Sequence, residues 1–451
     1  MANLAKNQEL EVNVTDLTYE GLGVAKVDGF PLFIDNALPG ETVRAHITKL
    51  QKQYGFAFTK EILKKSPDRV ETKSRIYTQT GIAPLQHLSY PAQLTFKQHQ
   101  IDELYKKQHL DIEVLPTIPS PQQTGYRDKA QVPVREVNGK LETGFFKRRS
   151  HVLVPITDFY IQDPAIDEAI VIVRDLLRKY NVPAYDEIHN GGVVRNVMVR
   201  RGHFTKMMMI VLVTRTRDLP HMAEIVSDIT AALPEVASII LNFNPKRTNV
   251  ILGSRSKTVW GQDYIEDDLL GSTFRISAQS FYQVNPEQTE NLYKAAIDGA
   301  QLTGNETVID AYSGIGTISL TMARHAKQVY GVEVVPEAVE DARVNAAANG
   351  IKNVTFKVGK AEDVMRTWRD QKLAADVLMV DPPRKGLAPE FTEAVGSMLP
   401  GRIVYVSCNP ATLARDITAL GEFGYKATQT QPVDMFPQTQ HIESVTVLTR
   451  D

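Results

Sequence analysis

From about Thr273 onward, short apolar, β-branched runs alternate with helix-like stretches, and this rhythm constrains the fold more than any other feature. Thr307 to Ala311, Gln328 to Val334, Asn353 to Val358, Val377 to Val380 and Arg402 to Ser407 read as strands. Pro336 to Asn349 and Pro410 to Leu420 read as helices among them. Apolar runs without alternation belong to strands covered on both faces. The order strand, helix, strand predicts a doubly wound parallel α/β sheet, whose ligands sit beyond the carboxyl ends of its strands.

The chain of 451 residues is too long for one ordinary domain. The first ~70 residues suggest five short strands broken by turns, among them Glu11 to Leu17, Pro31 to Ile34, Val43 to Ile47 and Gly55 to Ile62. A small β-barrel fits, and composition leaves an oligonucleotide-binding barrel and an SH3-like one both open. Pro91 to Leu110 has helical spacing, and the prolines between Leu115 and Pro121 make a stiff linker. Strands flank a hairpin turn at Asn138-Gly139. Pro164 to Tyr180 (helix), Val193 to Arg200 and Met207 to Thr214 (strands), Leu219 to Leu233 (helix) and Ala237 to Phe243 (strand) then describe an α+β unit. The expected domains are 1–70, 71–268 and 269–451, with 91–123 free to pack on the last.

Net charge is −2, so any polyanion face must be local. Basic residues gather between Lys49 and Arg69 and between Arg127 and Arg149. Lys49, Lys52, Arg127, Lys129, Lys147, Arg148 and Arg149 are the candidate phosphate contacts. Tyr54, Phe56 and Phe145 are stacking candidates, with burial in a core as the competing reading. No apolar run reaches membrane length and Met1 to Asn13 is polar, so a cytoplasmic protein without a membrane span is expected. The single cysteine, Cys408, excludes a disulfide framework and any multi-cysteine zinc or iron–sulfur site.

The first strand of the alternating region ends at Asp310 and enters Ala311-Tyr312-Ser313-Gly314-Ile315-Gly316. Glycines there let backbone approach a ligand at a helix start. Glu333 ends the next strand, at the spacing of an acid that binds ribose hydroxyls. Nicotinamide dinucleotides and S-adenosylmethionine both use such loops. The third glycine of the dinucleotide fingerprint is missing, and Asp310 suits a cation better than a pyrophosphate, which favours S-adenosylmethionine. Asp363, after the third strand, reads equally as an adenine contact and as a helix cap.

Further motifs follow the later strands: Asp381-Pro382-Pro383-Arg384, Ser407-Cys408-Asn409-Pro410, and Asp434-Met435-Phe436-Pro437 running to His441-Ile442-Glu443. A lone cysteine is usually a small buried hydrophobe, but one at a helix start is placed to have a lowered pKa. With Phe281-Tyr282-Gln283-Val284-Asn285, Gly125-Tyr126-Arg127-Asp128-Lys129 and the 310–316 loop, these motifs resemble the RNA uracil-5-methyltransferase family, especially its 23S rRNA branch. The resemblance spans nearly the whole chain. It implies an N-terminal TRAM barrel, an α+β central domain and a Rossmann-like class I methyltransferase domain.

Carried onto this sequence, the resemblance implies Cys408 as nucleophile and Glu443 as general base. It implies Gln283, Glu333 and Asp381 as cofactor residues, with Tyr312 to Gly316 at the methionine end of S-adenosylmethionine. Where many members carry a Cys-Gly-Gly-Cys run of an iron–sulfur site, this chain has Thr80-Gly81-Ile82-Ala83 before Leu85-Gln86-His87-Leu88. It therefore resembles the cluster-free members of Gram-positive bacteria, some of which methylate more than one uridine. The implied partner is RNA, 23S rRNA first, and a monomer is expected. A tRNA uridine methyltransferase and a non-catalytic RNA-binding assembly factor are the alternatives. Cytosine methylation is disfavoured because the usual RNA enzymes use a second cysteine. Amino-group methylation, which Asp381-Pro382-Pro383 would also suit, needs no cysteine.

Overall fold

The computed structural model describes residues 4–450. The first unit has six strands: β1 (Glu9–Asn13), β2 (Asp16–Leu17), β3 (Gly23–Val27), β4 (Phe30–Asp35), β5 (Thr42–Leu50) and β6 (Gly55–Lys64). They run β1-β5-β6-β4-β3-β2 around Val12, Ala25, Leu32, Ile34, Val43 and Ile47. The sequence pattern suggests five because it joins β1 and the two-residue β2 into one run. The barrel is moored by Glu41, fully buried, which accepts from Arg69 and from the Leu38 backbone N–H. Leu38 packs with Leu85, Leu88 and Phe96.

The segment after the barrel forms α1 (Arg75–Thr80), α2 (Tyr90–Lys107) and β7 (Glu113–Val114). A seven-stranded central sheet follows, built from β8 (Lys129–Val137), β9 (Lys140–Phe146), β10 (Leu153–Pro155), β11 (Val194–Arg201), β12 (Met208–Thr214), β13 (Val236–Phe243) and β14 (Arg255–Gly261). Asn138 and Gly139 both take positive φ, 53° and 75°, as a two-residue hairpin turn between β8 and β9 requires. Helices α3 (Pro164–Lys179) and α4 (Met222–Ala232) cover one face. Alternate residues of β12 divide between two cores: Met208, Ile210 and Leu212 face those helices, while Met209, Val211 and Val213 join the C-terminal core.

The hairpin β15 (Tyr264–Leu269) and β16 (Ser272–Ser277) and helix α5 (Pro286–Ala300) lead into the last sheet. Its strands are β17 (Thr307–Asp310), β18 (Gln328–Glu333), β19 (Val354–Val358), β20 (Val377–Val380), β21 (Arg402–Ser407), β22 (Tyr425–Val433) and β23 (Glu443–Arg450). Between them lie α6 (Thr317–Ala323), α7 (Pro336–Ala348), α8 (Ala361–Asp370), α9 (Pro389–Met398) and α10 (Pro410–Gly421). The order is β19-β18-β17-β20-β21-β23-β22-β7, so β7 extends the final sheet from far upstream in sequence. Strands β17 to β21 are mutually parallel, and β23 enters antiparallel beside β21. The order reverses between β17 and β20, which places a ligand crevice at their carboxyl ends. Among the described residues, no helix is long and apolar enough to cross a membrane.

Candidate active site

The reversal point brings two carboxyls together. Asp310, the last residue of β17, is fully buried, and Asp381 directly follows β20. Ser319 donates to one Asp310 oxygen at 2.5 Å, while the other oxygen has no partner. Burial, the larger cause, lifts Asp310 to about 6 against its hydrogen bond from Ser319. Burial and the neighbouring Asp310 lift Asp381 to about 7.

The β21–β23 ladder supplies the second half of the site. Ser407 pairs with Ser444 in antiparallel register, so the next step sets Cys408 opposite Glu443. Glu443 is buried, and burial followed by the Asp381 charge raises its pKa well above the carboxylate range, with Arg384 opposing. Cys408 remains partly accessible. Its position before α10 suggests a lowered pKa, and the structure corrects this. Burial, then Glu443 and Asp381, push the thiol up to about 11, against Arg384. Partial burial and two carboxyls outweigh the helix start.

Asn409 caps α10 by accepting from the Ala411 backbone N–H at 3.2 Å. Its amide also donates to the Arg384 carbonyl at 2.9 Å, tying the 381–386 loop to the cysteine loop. Asp416 braces the same loop by accepting from the Leu387 N–H and the Tyr405 hydroxyl, both at 2.7 Å.

On the other side of the crevice, Glu333 accepts from the Gly314 N–H at 3.2 Å and the Val335 N–H at 2.9 Å. The acid expected at a ribose therefore also shapes the glycine loop. Gly314 has φ +52° and open space where a Cβ would stand, whereas Gly316 is hemmed in by Phe356 and Ala342. Tyr312 rests against Phe391. Gln283 is buried, and its amide has no hydrogen-bond partner among the described residues. The Ser313 hydroxyl is also buried and unpartnered.

This donor set suits a cationic ligand with polar ends. Three carboxyls are held above their ordinary pKa, and a positive charge among them would draw each back down. Buried atoms without partners, on Asp310 and Ser313, wait for hydrogen bonds that a ligand can supply.

The remaining sequence candidates fall elsewhere. Asp363 is exposed on the first turn of α8 and faces Arg366 at 3.6 Å; the cap reading is corrected, because Lys360 holds the cap position. Arg127 and Lys129 are not a free ribbon. Arg127 donates to the Lys129 carbonyl beside the crevice, and burial lowers Lys129 to about 7. Arg148 packs over Gly81, and Arg149 pairs with Glu20 of the barrel at 3.3 Å. Lys49, Lys52 and Lys147 stay exposed. Phe145 packs edge-on against Phe159 at the helix-covered core, while Tyr54 and Phe56 cluster with Phe33 on the barrel.

Sequence reasoning missed Tyr293, whose hydroxyl meets Thr317 at 3.1 Å within the field of Asp381, Asp310 and Glu443. It rides on α5, and helical spacing after Asn285 was the available signal. It also missed His441, which lies near Arg384, Lys97 and Arg127; burial and those charges hold it to about 4, neutral at pH 7.

Comparison with known proteins gives consistent results. The model for tRNA (Uracil-5-)-methyltransferase matches residues 241–451, and that for the TRAM domain matches residues 4–58. An uncharacterized RNA methyltransferase of Lactiplantibacillus plantarum is 59% identical over 99% of this chain and 98% of its own length. One from Enterococcus faecalis is 53% identical over 99% and 98%. The crystal structure of Pyrococcus abyssi tRNA (uracil-54, C5)-methyltransferase with S-adenosyl-L-homocysteine superposes with TM-score 0.78 at 26% identity, covering 97% of this chain and 99% of that one.

Proposed function

The chain belongs to the S-adenosylmethionine-dependent RNA uracil-5-methyltransferase family, and we propose that it makes 5-methyluridine in 23S rRNA, at one site or more, through a covalent adduct on Cys408. The observation that carries the covalent step is the β21–β23 register, which sets one thiol opposite one buried carboxyl.

Carbon 5 of uracil is a weak nucleophile. Addition of the Cys408 sulfur to carbon 6 opens the carbon 5–carbon 6 double bond and leaves an enolate that is nucleophilic at carbon 5. Asp381, with a pKa of about 7 and close enough for its charge to act on the thiol, takes the thiol proton, and Arg384 offsets the charge. When bound, S-adenosylmethionine supplies an electrophilic methyl group. Gln283, Asp310, Glu333 and Asp381 would hold it, with the Tyr312 to Gly316 loop at its methionine end. Glu443 then removes the proton left on methylated carbon 5, the double bond re-forms, and the sulfur departs from carbon 6. A carboxylate buried this deeply is a strong base, as that step needs.

The target base reaches this crevice by extrusion from the RNA. A groove of about 740 Å³ supports a path for the flanking strand: it runs from Phe33, Tyr54 and Phe56 on the barrel, past α2, to Asn409, Pro410 and Ala411 beside the nucleophile. Aromatic faces there suit unstacked bases.

A tRNA target is the second reading. The archaeal tRNA enzyme matches over nearly its whole length and nearly all of this chain, barrel region included, so the barrel does not separate rRNA from tRNA. Mapping 5-methyluridine in both RNAs from cells with and without the gene decides the substrate; loss from tRNA alone overturns the 23S assignment. Cys408→Ala is expected to abolish methyl transfer while still binding RNA. Glu443→Gln is expected to accumulate a protein–RNA adduct that survives denaturation. Substantial turnover by the first variant, or normal turnover by the second, removes the covalent scheme.

A further inference from the structure

The non-helical side of the central sheet carries a second cleft, of about 630 Å³, bounded by β8, β9, β11 and the 247–251 loop. That volume is the size of a small-ligand site. Resting on RNA as substrate, we propose that this cleft receives one unpaired nucleobase of the RNA, separate from the target uridine.

Its construction is specific. The Arg135 guanidinium lies over the rings of Phe146, at 5.4 Å, and Tyr185, at 5.0 Å, and Arg195 covers Tyr185 at 4.5 Å. Cations held over aromatic rings present a surface for a base. Asn196, on the cleft wall, is only 9% exposed, and its amide has no hydrogen bond among the described residues. The amide atoms themselves are open to the cleft, and an amide is the group that reads a base edge.

Arg195 directs its guanidinium to the Asn244, Lys246 and Thr248 carbonyls, which pins the loop carrying Arg247. Its remaining Nε is buried and unpartnered. Arg247 is exposed at the cleft and makes no hydrogen bond or ion pair among the described residues. It is free to meet a phosphate. The one acid of the wall, Glu187, is already engaged by Arg135 at 3.7 Å and His151 at 3.4 Å.

Position links the cleft to the catalytic crevice. The Asp128 N–H, at the start of β8, donates to the Val284 carbonyl beside Gln283. Four residues of strand, about 13 Å, separate Arg127 from Gln131 on the cleft wall. From the other side, Gln279 donates to the Gly253 carbonyl at 3.3 Å, joining the cleft loop to the Phe281 to Gln283 segment. An RNA strand leaving the catalytic crevice along β8 therefore reaches the cleft within a few nucleotides.

The test uses the full chain and transcribed 23S rRNA, with binding read by anisotropy so that no methyl transfer is required. Asn196→Ala removes an amide that bonds to nothing in the fold, so melting temperature and S-adenosylmethionine affinity are expected to stay as in the wild type. RNA affinity is expected to fall about tenfold. Arg247→Ala is expected to weaken binding and flatten its salt dependence. Wild-type RNA affinity in both variants overturns the proposal. If Asn196→Ala lowers the melting temperature, the exposed Arg247→Ala decides alone. RNA containing 4-thiouridine is expected to cross-link to residues 145–151 or 247–251; cross-links confined to the barrel and the catalytic crevice overturn the proposal. If tRNA is the better ligand, the same variants are read against tRNA, so a wrong target and a wrong cleft give different outcomes.

Discussion

At the scale of single residues, the site is a collection of acids whose pKa values are held above the ordinary range. Asp310 and Asp381 have folded pKa values of about 6 and about 7, raised chiefly by burial. A raised carboxyl binds more protons folded than unfolded, so its stabilising contribution is present at low pH and is lost as pH rises through 6 to 7. A cationic ligand reverses the preference, because it favours the ionised carboxylates. Affinity for S-adenosylmethionine is therefore expected to rise on the order of tenfold as pH climbs through that window. S-adenosylhomocysteine lacks the sulfonium charge and should respond less. Calorimetry of both ligands across the window checks this; parallel curves would remove the acids from the sulfonium site. Asp310 was readable in sequence because it ends a strand before a glycine loop. The state of Cys408 was not: a helix start argued for a low thiol pKa, and only the fold brings Glu443 and Asp381 against it.

At the scale of elements, the first turn of α10 does two things through one side chain. The Asn409 oxygen caps the helix, and its amide nitrogen holds the Arg384 carbonyl. The two roles separate by substitution. Asn409→Ser keeps a capping oxygen but loses the tether, so the melting temperature is expected to hold while kcat falls. Asn409→Ala loses both and is expected to cost about 1 kcal/mol of stability as well. Thermal melts beside single-turnover rates check the pair; equal rates in Asn409→Ser and wild type would show that the tether has no catalytic part. The alternation of strands with helices was plain in the sequence because β20 and β21 are apolar on both faces, and only the edge strand β19 exposes Thr355 and Lys357. The hairpin of β15 and β16 was not read as strands, since Glu266, Asp267 and Asp268 make it look like a loop. Asp267 is nonetheless fully buried, accepting from the backbone N–H groups of His203, Phe204 and Thr205.

At the scale of the molecule, the loop before Glu443 is held by a segment more than 300 residues upstream. Lys97 of α2 is fully buried, pairs with Asp434 and donates to the Phe436 carbonyl at 2.9 Å. Gln93 of the same helix accepts from the Gln438 N–H at 2.9 Å, and Leu85 donates to the Gln438 carbonyl at 2.9 Å. Gln438 itself takes a φ of +67°. The strand carrying Glu443 thus begins just after a loop gripped by the barrel-side segment. No local pattern reveals this, because the partners are distant in the chain and a lysine in an amphipathic helix reads as solvated. Removing one member of a buried ion pair leaves an uncompensated charge, which costs about 3–5 kcal/mol, whereas replacing both by apolar groups recovers much of that. Lys97→Met is accordingly expected to lower stability to denaturant by that amount, and Lys97→Met with Asp434→Leu to regain most of it. Stability and catalysis should then part. The double variant still lacks the donor to Phe436, so the loop before Glu443 stays loosened, and proton removal from carbon 5 is expected to remain slow even where the fold has recovered. Urea unfolding set beside the rate of adduct decay measures both. Full recovery of the rate with stability would mean that the pair holds the fold alone and leaves the base to position itself.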